Sequence, residues 1–133
     1  LLIHEGQLTY QGRGLHLWQD LGAWWKDRTG LPLPLGGNVV RKDLGEAMIR
    51  LVSRDLRASI VYGLEHRSPA LAHAQQYARG LDPAHTDTFV GMYVNDFTVD
   101  YGEVGRAAVH RLLGDAFEAG LIPKVSAEFV DDR

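Results

Sequence analysis

The rhythm of hydrophobic and polar positions changes near residue 43. Before that point the apolar residues come in short runs. Leu1-Leu2-Ile3 stops at the polar cluster His4-Glu5-Gly6-Gln7, the pattern of a buried parallel strand ending in a loop. Leu8 to Gln11 continues as a short helix or irregular turn, broken by Gly12-Arg13-Gly14, and Leu15 to Gln19 alternates imperfectly as a short strand would. Asp20 is placed to cap a helix over Leu21 to Arg28, with Gly30 as its C-terminal stop. Leu31-Pro32-Leu33-Pro34-Leu35 cannot be helical, because two alternating prolines remove amide donors and force an extended path. Gly36-Gly37-Asn38 follows, and two glycines there admit backbone angles closed to other residues. This segment is the expected crossover between lobes.

Beyond it the period becomes helical. Asp43 with Glu46 has the spacing of a capping box. Leu44, Met48, Leu51, Val52, Leu56, Ile60 and Leu64 then recur along one face of a long amphipathic helix. Ser68-Pro69 predicts a second helix start and Gly80 its end, while Asp82-Pro83 repeats the device. A fourth helix is expected from Tyr101 to Ala119, with Val104, Ala108, Leu112 and Ala116 inward and Gly120 as its stop. Val125, Ala127 and Phe129 alternate, predicting a short strand or an arm.

Composition narrows the class. At 133 residues and 45% hydrophobic, the chain has the size and apolar content of one globular domain. It carries 14 Lys and Arg against 17 Asp and Glu, a formal charge of -3 that gives no reason to expect nucleic acid. The absence of Cys removes thiolate chemistry, disulfides and Cys-based zinc sites, and fits a reducing compartment, so a cytoplasmic protein is expected. No apolar run approaches the ~18–20 residues of a membrane span. Three apolar residues at the very start predict that the upstream part of a strand is missing, and that this chain is a fragment or one half of a split protein.

The candidate chemistry is sparse. Six His stand at 4, 16, 66, 73, 85 and 110, but their spacing is poor for metal: no HExxH pattern occurs, and His66 and His73 straddle Pro69. Gly12-Arg13-Gly14 lacks the third Gly of a dinucleotide fingerprint, and Gly36-Gly37-Asn38 lacks the Lys of a phosphate loop. Trp24 and Trp25 predict one ring in the core and one at the surface. Arg41, Lys42, Arg50, Arg54 and Arg57 interleave with Asp43, Glu46 and Asp55, which reads as a solvated face with intrahelical pairs. His4 differs in placement. It follows an apolar strand-like run, where open α/β sheets bind ligands. An imidazole ordinarily titrates near ~6.5 and can act there as a general base.

Leu2-Ile3-His4-Glu5-Gly6-Gln7-Leu8-Thr9-Tyr10 resembles the strand-end motif of the 1,4-dihydroxy-6-naphthoate synthase family of menaquinone biosynthesis, which acts on cyclic dehypoxanthine futalosine in the futalosine pathway. Asp20-Leu21-Gly22 with Trp24-Trp25-Lys26 is similar to that family, as are Thr29 to Asn38, Gly91-Met92-Tyr93-Val94-Asn95-Asp96 and Asp100-Tyr101-Gly102. The resemblance implies an α/β, type II periplasmic-binding-protein-like fold of two lobes with a cleft between them. This chain would be its C-terminal half. Residues 1–35 would end the second, smaller lobe, and 36–133 would hold the crossover and a mostly helical return into the first, larger lobe. It also implies that His4 is the proton acceptor of a cofactor-free, metal-free carbon–carbon lyase step. The Ser and Thr residues that hold substrate would lie in the missing N-terminal half, so the fragment alone is expected to be inactive. The expected partners are the small-molecule substrate and that half, with no nucleic acid and no membrane.

Two other classes fit the same residues. Half of a type II solute-binding protein would capture a small anionic ligand without chemistry, since fold does not decide function. Residues 43–119 could also form a helical interaction module.

Overall fold

The computed structural model describes residues 1–4, 6–78 and 80–130. They form seven α-helices: α1 (Gly6–Thr9), α2 (Leu21–Thr29), α3 (Glu46–Glu65), α4 (Arg67–Ala74), α5 (Pro83–Tyr93), α6 (Asp96–Val99) and α7 (Gly102–Glu118), with 3-10 turns at Gln11–Arg13, Lys42–Leu44 and Gln75–Tyr77. No strand occurs among the described residues. The strands expected at Leu1 to Ile3, Leu15 to Gln19 and Val125 to Phe129 are irregular segments instead. A strand exists only against a partner that takes up its amides and carbonyls, and none is present among the described residues.

The chain groups into two compact units. One comprises Leu1–Trp18 with Ala58–Val99, and the other Gln19–Arg57 with Asp100–Arg133.

In the second unit, α2 follows its sequence signals. Asp20 accepts the Ala23 amide at 3.0 Å, and Gly30 closes the helix in the left-handed conformation at φ 73°, its amide on the Lys26 carbonyl. Such a cap contributes about 1 kcal/mol. The Trp pair divides as expected: Trp25 is buried at 5% exposure, whereas Trp24 is 45% exposed with Arg28 stacked 5.7 Å from its ring centre. The Leu-Pro-Leu-Pro stretch leads through Gly36 and Gly37 without regular structure. Neither glycine has a positive φ, so conformational freedom is not the reason for this pair. A Cβ on Gly37 would stand 2.9 Å from the Tyr101 hydroxyl, whereas one on Gly36 would meet nothing. Of the two, only Gly37 meets a close approach, to the end of the Tyr101 side chain.

The long helix starts later than the capping-box reading placed it. Lys42–Leu44 forms a 3-10 turn, Gly45 follows at φ 79°, and α3 begins at Glu46. Asp43 is drawn away from a capping role because it pairs with the Arg41 guanidinium, which lowers its carboxyl pKa and raises that of the arginine. The polar face of α3 carries the expected pairs, Arg50 with Glu46 at 2.7 Å and Arg54 with Asp55 at 3.3 Å. Its apolar stripe departs from expectation. Met48, Leu51, Val52 and Leu56 remain 40–45% exposed, and α3 has no buried residue.

On α7 the inward stripe is realised at Ala108, 1% exposed, while Val104 is 53% exposed. The tail is an arm: Phe129 sits edge-on to Tyr101 and His110, each at 5.5 Å, under the Arg106 guanidinium at 5.1 Å. Lys42 reaches Glu128 at 2.6 Å across 86 positions of sequence, an exposed pair worth ~0–1 kcal/mol.

In the first unit, α4 begins at Arg67, so Ser68 and Pro69 occupy its first turn and His66 precedes it. The sequence signal was displaced by two residues. Proline is tolerated there because the first amides of a helix have no partner within it. The Asp82-Pro83 start holds as read. Asp82 accepts the His85 amide at 2.9 Å and contacts its ring nitrogen at 2.5 Å, with Pro83 in the first helical position. No described helix is long and apolar enough to cross a membrane.

Candidate active site

His4 is the centre of the candidate site, and its backbone marks it. It has φ 54°, the one residue other than glycine with a positive φ among the described residues. The left-handed region crowds Cβ against the following carbonyl, and such strain concentrates at functional positions. His, Asn and Asp tolerate it better than most residues. The turn that holds it is local: the Ile3 carbonyl accepts the Gly6 amide at 3.2 Å, and the His4 carbonyl accepts the Gln7 amide at 3.1 Å. Glu5, the neighbour considered as an orienting carboxylate, lies outside the described residues.

The His4 ring faces Tyr93, with ring centres 6.1 Å apart, and Tyr93 in turn packs on Phe89 at 5.1 Å. Two adjoining hollows share His4, Phe89 and Val90. The smaller, about 270 Å³, is completed by Tyr93 and Val94. The larger, about 540 Å³, is walled by His73, Tyr77, Leu81 and Thr86. That volume is in the range of small-molecule pockets, ~300–1,000 Å³.

The walls are held by specific bonds. α4 and α5 are tied by Arg67, whose Nε donates to the Asp87 carboxylate at 2.8 Å and whose Nη2 donates to the Asp87 carbonyl at 3.1 Å. With these side chains 38% and 49% exposed, the pair is worth ~0.5–1 kcal/mol. Gln75 donates its side-chain amide to the Leu81 carbonyl at 2.7 Å, fixing the connection into α5. After α5, Thr98 donates to the Tyr93 carbonyl at 2.9 Å and accepts the Asn95 amide at 3.1 Å, while Asn95 accepts the Phe97 amide at 3.0 Å. That reciprocal arrangement fixes the Tyr93-Val94-Asn95 corner beside His4.

One polar group in the wall is unusual. Thr86 is 3% exposed, and its hydroxyl has no hydrogen-bond partner among the described residues. An unpaired buried hydroxyl costs about 1–3 kcal/mol. Two residues on, Thr88 shows the ordinary solution, donating its hydroxyl to the Ala84 carbonyl at 3.1 Å.

Of the histidines, the structure brings His4 and His73 to one cavity. Three of the others serve locally: His66 stacks on Tyr62 at 3.9 Å and bonds its carbonyl, His85 supports the Asp82 cap, and His110 packs on Phe129, while His16 is exposed. Among the described residues no three His, Asp or Glu side chains gather as metal ligands would. Sequence reasoning singled out His4 but missed the α5 wall. The signal was there: Thr86, Phe89, Val90 and Tyr93 are spaced 3, 1 and 3 apart, one stripe of a helix with a single polar member.

The comparisons give the chain a class. A family profile described as menaquinone biosynthesis matches residues 1–118, and the chain belongs to that family. Two curated relatives carry the more particular name 1,4-dihydroxy-6-naphthoate synthase. The one from Thermus thermophilus is 47% identical over 125 residues, covering 91% of this chain and 44% of the relative. The one from Streptomyces coelicolor is 38% identical over 128 residues, covering 96% and 45%. A crystal structure of an Archaeoglobus fulgidus protein matches with a TM-score of 0.86 and 42% identity, over 91% of this chain and 46% of that one. The chain therefore spans less than half the length of the curated relatives it matches.

Proposed function

We propose that the full-length protein containing this chain is a carbon–carbon lyase of the futalosine pathway, forming 1,4-dihydroxy-6-naphthoate from cyclic dehypoxanthine futalosine, with His4 as the general base. The imidazole takes a proton from the sugar-derived part of the substrate. The electron pair left behind forms a new double bond in the sugar-derived fragment as the adjacent carbon–carbon bond breaks, and the pair of the broken bond passes into the ring system, which departs as the aromatic naphthoate. The residues of this half supply the base and an apolar wall, and the remaining length supplies most of the polar contacts to substrate. The full-length protein then has the two-lobed α/β fold of a type II periplasmic-binding protein, with residues 1–35 and 36–133 in different lobes, and works in the cytoplasm without a cofactor.

The observation that carries this reading is His4 itself: a histidine in a left-handed turn whose ring walls two hollows, in a chain 38–47% identical to synthases of that name. The exposed stripe of α3 supports the second half, because relatives more than twice as long have further chain with which to cover it.

The test is turnover of cyclic dehypoxanthine futalosine by full-length protein, followed by naphthoate release. A positioned base contributes ~10²–10⁴-fold, so His4→Gln lowers kcat by that factor, and substrate affinity changes far less. Near-normal turnover by His4→Gln rejects His4 as the base. Binding of the substrate without conversion by the unaltered protein leaves a solute-binding protein as the better description.

A further inference from the structure

We propose that Thr86 is a ligand-binding residue, its hydroxyl donating a hydrogen bond to an oxygen of an oxygenated bicyclic aromatic ring seated in the larger hollow. The inference rests on the reading above for the identity of that ring, but its geometry is independent of the chemistry assigned to His4.

The larger hollow is mostly apolar. Phe89, Val90, Leu81 and Tyr77 present ring faces and aliphatic groups, which suit a flat aromatic body. Thr86 stands among them with a buried hydroxyl that no described group satisfies. A buried polar atom without a partner is rare and calls for a completing group, and Thr86, unlike the equally unpartnered Trp25 Nε1, lines a hollow with room for one. Position on the helix sharpens this. The usual outlet for a helical Thr hydroxyl is the carbonyl four residues back, as Thr88 uses. Thr86 leaves its own counterpart, the Asp82 carbonyl, to the backbone amide alone, at 2.9 Å. Its hydroxyl thus surrenders no existing bond when it meets a ligand oxygen, and a turn about χ1 exchanges methyl and hydroxyl on a Cβ already in the wall. His4 borders the same hollow, so a ring held by Thr86 lies beside the group proposed to act on the bond next to it.

The experiment uses full-length protein and two probes: 1,4-dihydroxy-6-naphthoate, and 2-methylnaphthalene as an apolar body of similar shape. Thr86→Val keeps the volume and removes only the hydroxyl, and Thr86→Ser keeps the hydroxyl. A ligand oxygen left buried without its donor corresponds to about 5–160-fold weaker binding. Thr86→Val should weaken naphthoate binding by that factor and leave 2-methylnaphthalene unchanged or tighter. Thr86→Ser should stay within about threefold of the unaltered protein for naphthoate. Thermal melting is the second readout: because the hydroxyl has no partner in the free protein, Thr86→Val should melt at the same temperature or higher. A lower melting temperature means that the hydroxyl is structurally bonded and overturns the proposal. Equal effects on both probes, or none on naphthoate, also overturn it. If the unaltered protein binds naphthoate in this manner but does not turn over cyclic dehypoxanthine futalosine, the reaction assignment fails and the Thr86 site stands.

Discussion

Replacing His4 by Gly and by Ala separates the backbone of the site from its chemistry. Both substitutions remove the imidazole and its loose contact with Tyr93, so those losses cancel between them. What differs is the response to a φ of 54°. A Cβ in the left-handed region costs roughly 1–2 kcal/mol, and Ala has no side-chain hydrogen bond with which to offset it. Glycine avoids that cost but loses more chain entropy on folding, ~0.5–1 kcal/mol relative to Ala. The difference leaves His4→Gly more stable than His4→Ala by ~0.5–1 kcal/mol. Were φ negative at this position, only the entropy would remain, and the order would reverse by a similar amount. The sign alone is therefore diagnostic.

Turnover should ignore that order. On the proposed mechanism neither variant has a base, so both should fall by ~10²–10⁴-fold in kcat, whichever is the more stable. Urea unfolding of the full-length enzyme reads the first quantity, and naphthoate release under saturating substrate reads the second. If Ala is the more stable variant, His4 does not occupy the left-handed turn. If His4→Gly turns over normally, the base lies elsewhere, however the backbone is arranged.

Two further outcomes follow from local geometry. Gly37→Ala sets a Cβ 2.9 Å from the Tyr101 hydroxyl, whose ring is held by Phe129, so it should cost about 1 kcal/mol in thermal or urea unfolding, while Gly36→Ala meets open space and should be neutral or slightly stabilising; equal costs would place the close approach elsewhere. The Asp82 carboxyl is held below its ordinary value of 3.8, first by the His85 amide and then by the His85 side chain. A carboxyl whose folded pKa is lowered contributes stability that is complete above its unfolded value and lost as pH falls through the folded one. Protection of the His85 amide against hydrogen exchange, corrected for the intrinsic rate, should therefore hold above about pH 4 and fall below it, and Asp82→Asn should abolish that dependence; a profile flat from about pH 5 to 2 would refute the cap.

What could be read from the sequence was what is decided within a few residues. Asp20 with Gly30 and Asp82 with Pro83 announce helix ends because the capping atoms lie three or four positions from the groups they satisfy. The Trp24-Trp25 division follows from the pitch of one helix. The failures are of two kinds. Where two local partners compete, spacing cannot choose between them, and Asp43 took Arg41 over a capping role at α3. Where the reason lies far along the chain, no local pattern carries it, and Gly37 is small because of Tyr101, 64 positions away. The site divides in the same way. His4 was legible as a polar residue after an apolar run. Thr86 was legible only as the polar member of an apolar stripe; that its hydroxyl is buried without a partner was not, because no spacing records it.

The remaining discrepancies share one cause. Leu1 to Ile3 and Leu15 to Gln19 have the apolar content of strands yet take no strand geometry, and the stripe of α3 has the period of a buried face yet stays near half exposed. Both patterns specify a surface to be covered and leave unspecified what covers it. Helix α3 forms regardless, because its hydrogen bonds close within its own chain. A strand cannot, because its hydrogen bonds require another segment. The same missing contacts thus leave a helix intact but bare and a strand unformed. Relatives more than twice the length of this chain have the further residues such contacts need. On the proposed two-lobed fold, the rest of the polypeptide would both pair the Leu1 to Ile3 segment and bring substrate-holding groups to His4, so that completing the sheet and completing the active site are one event.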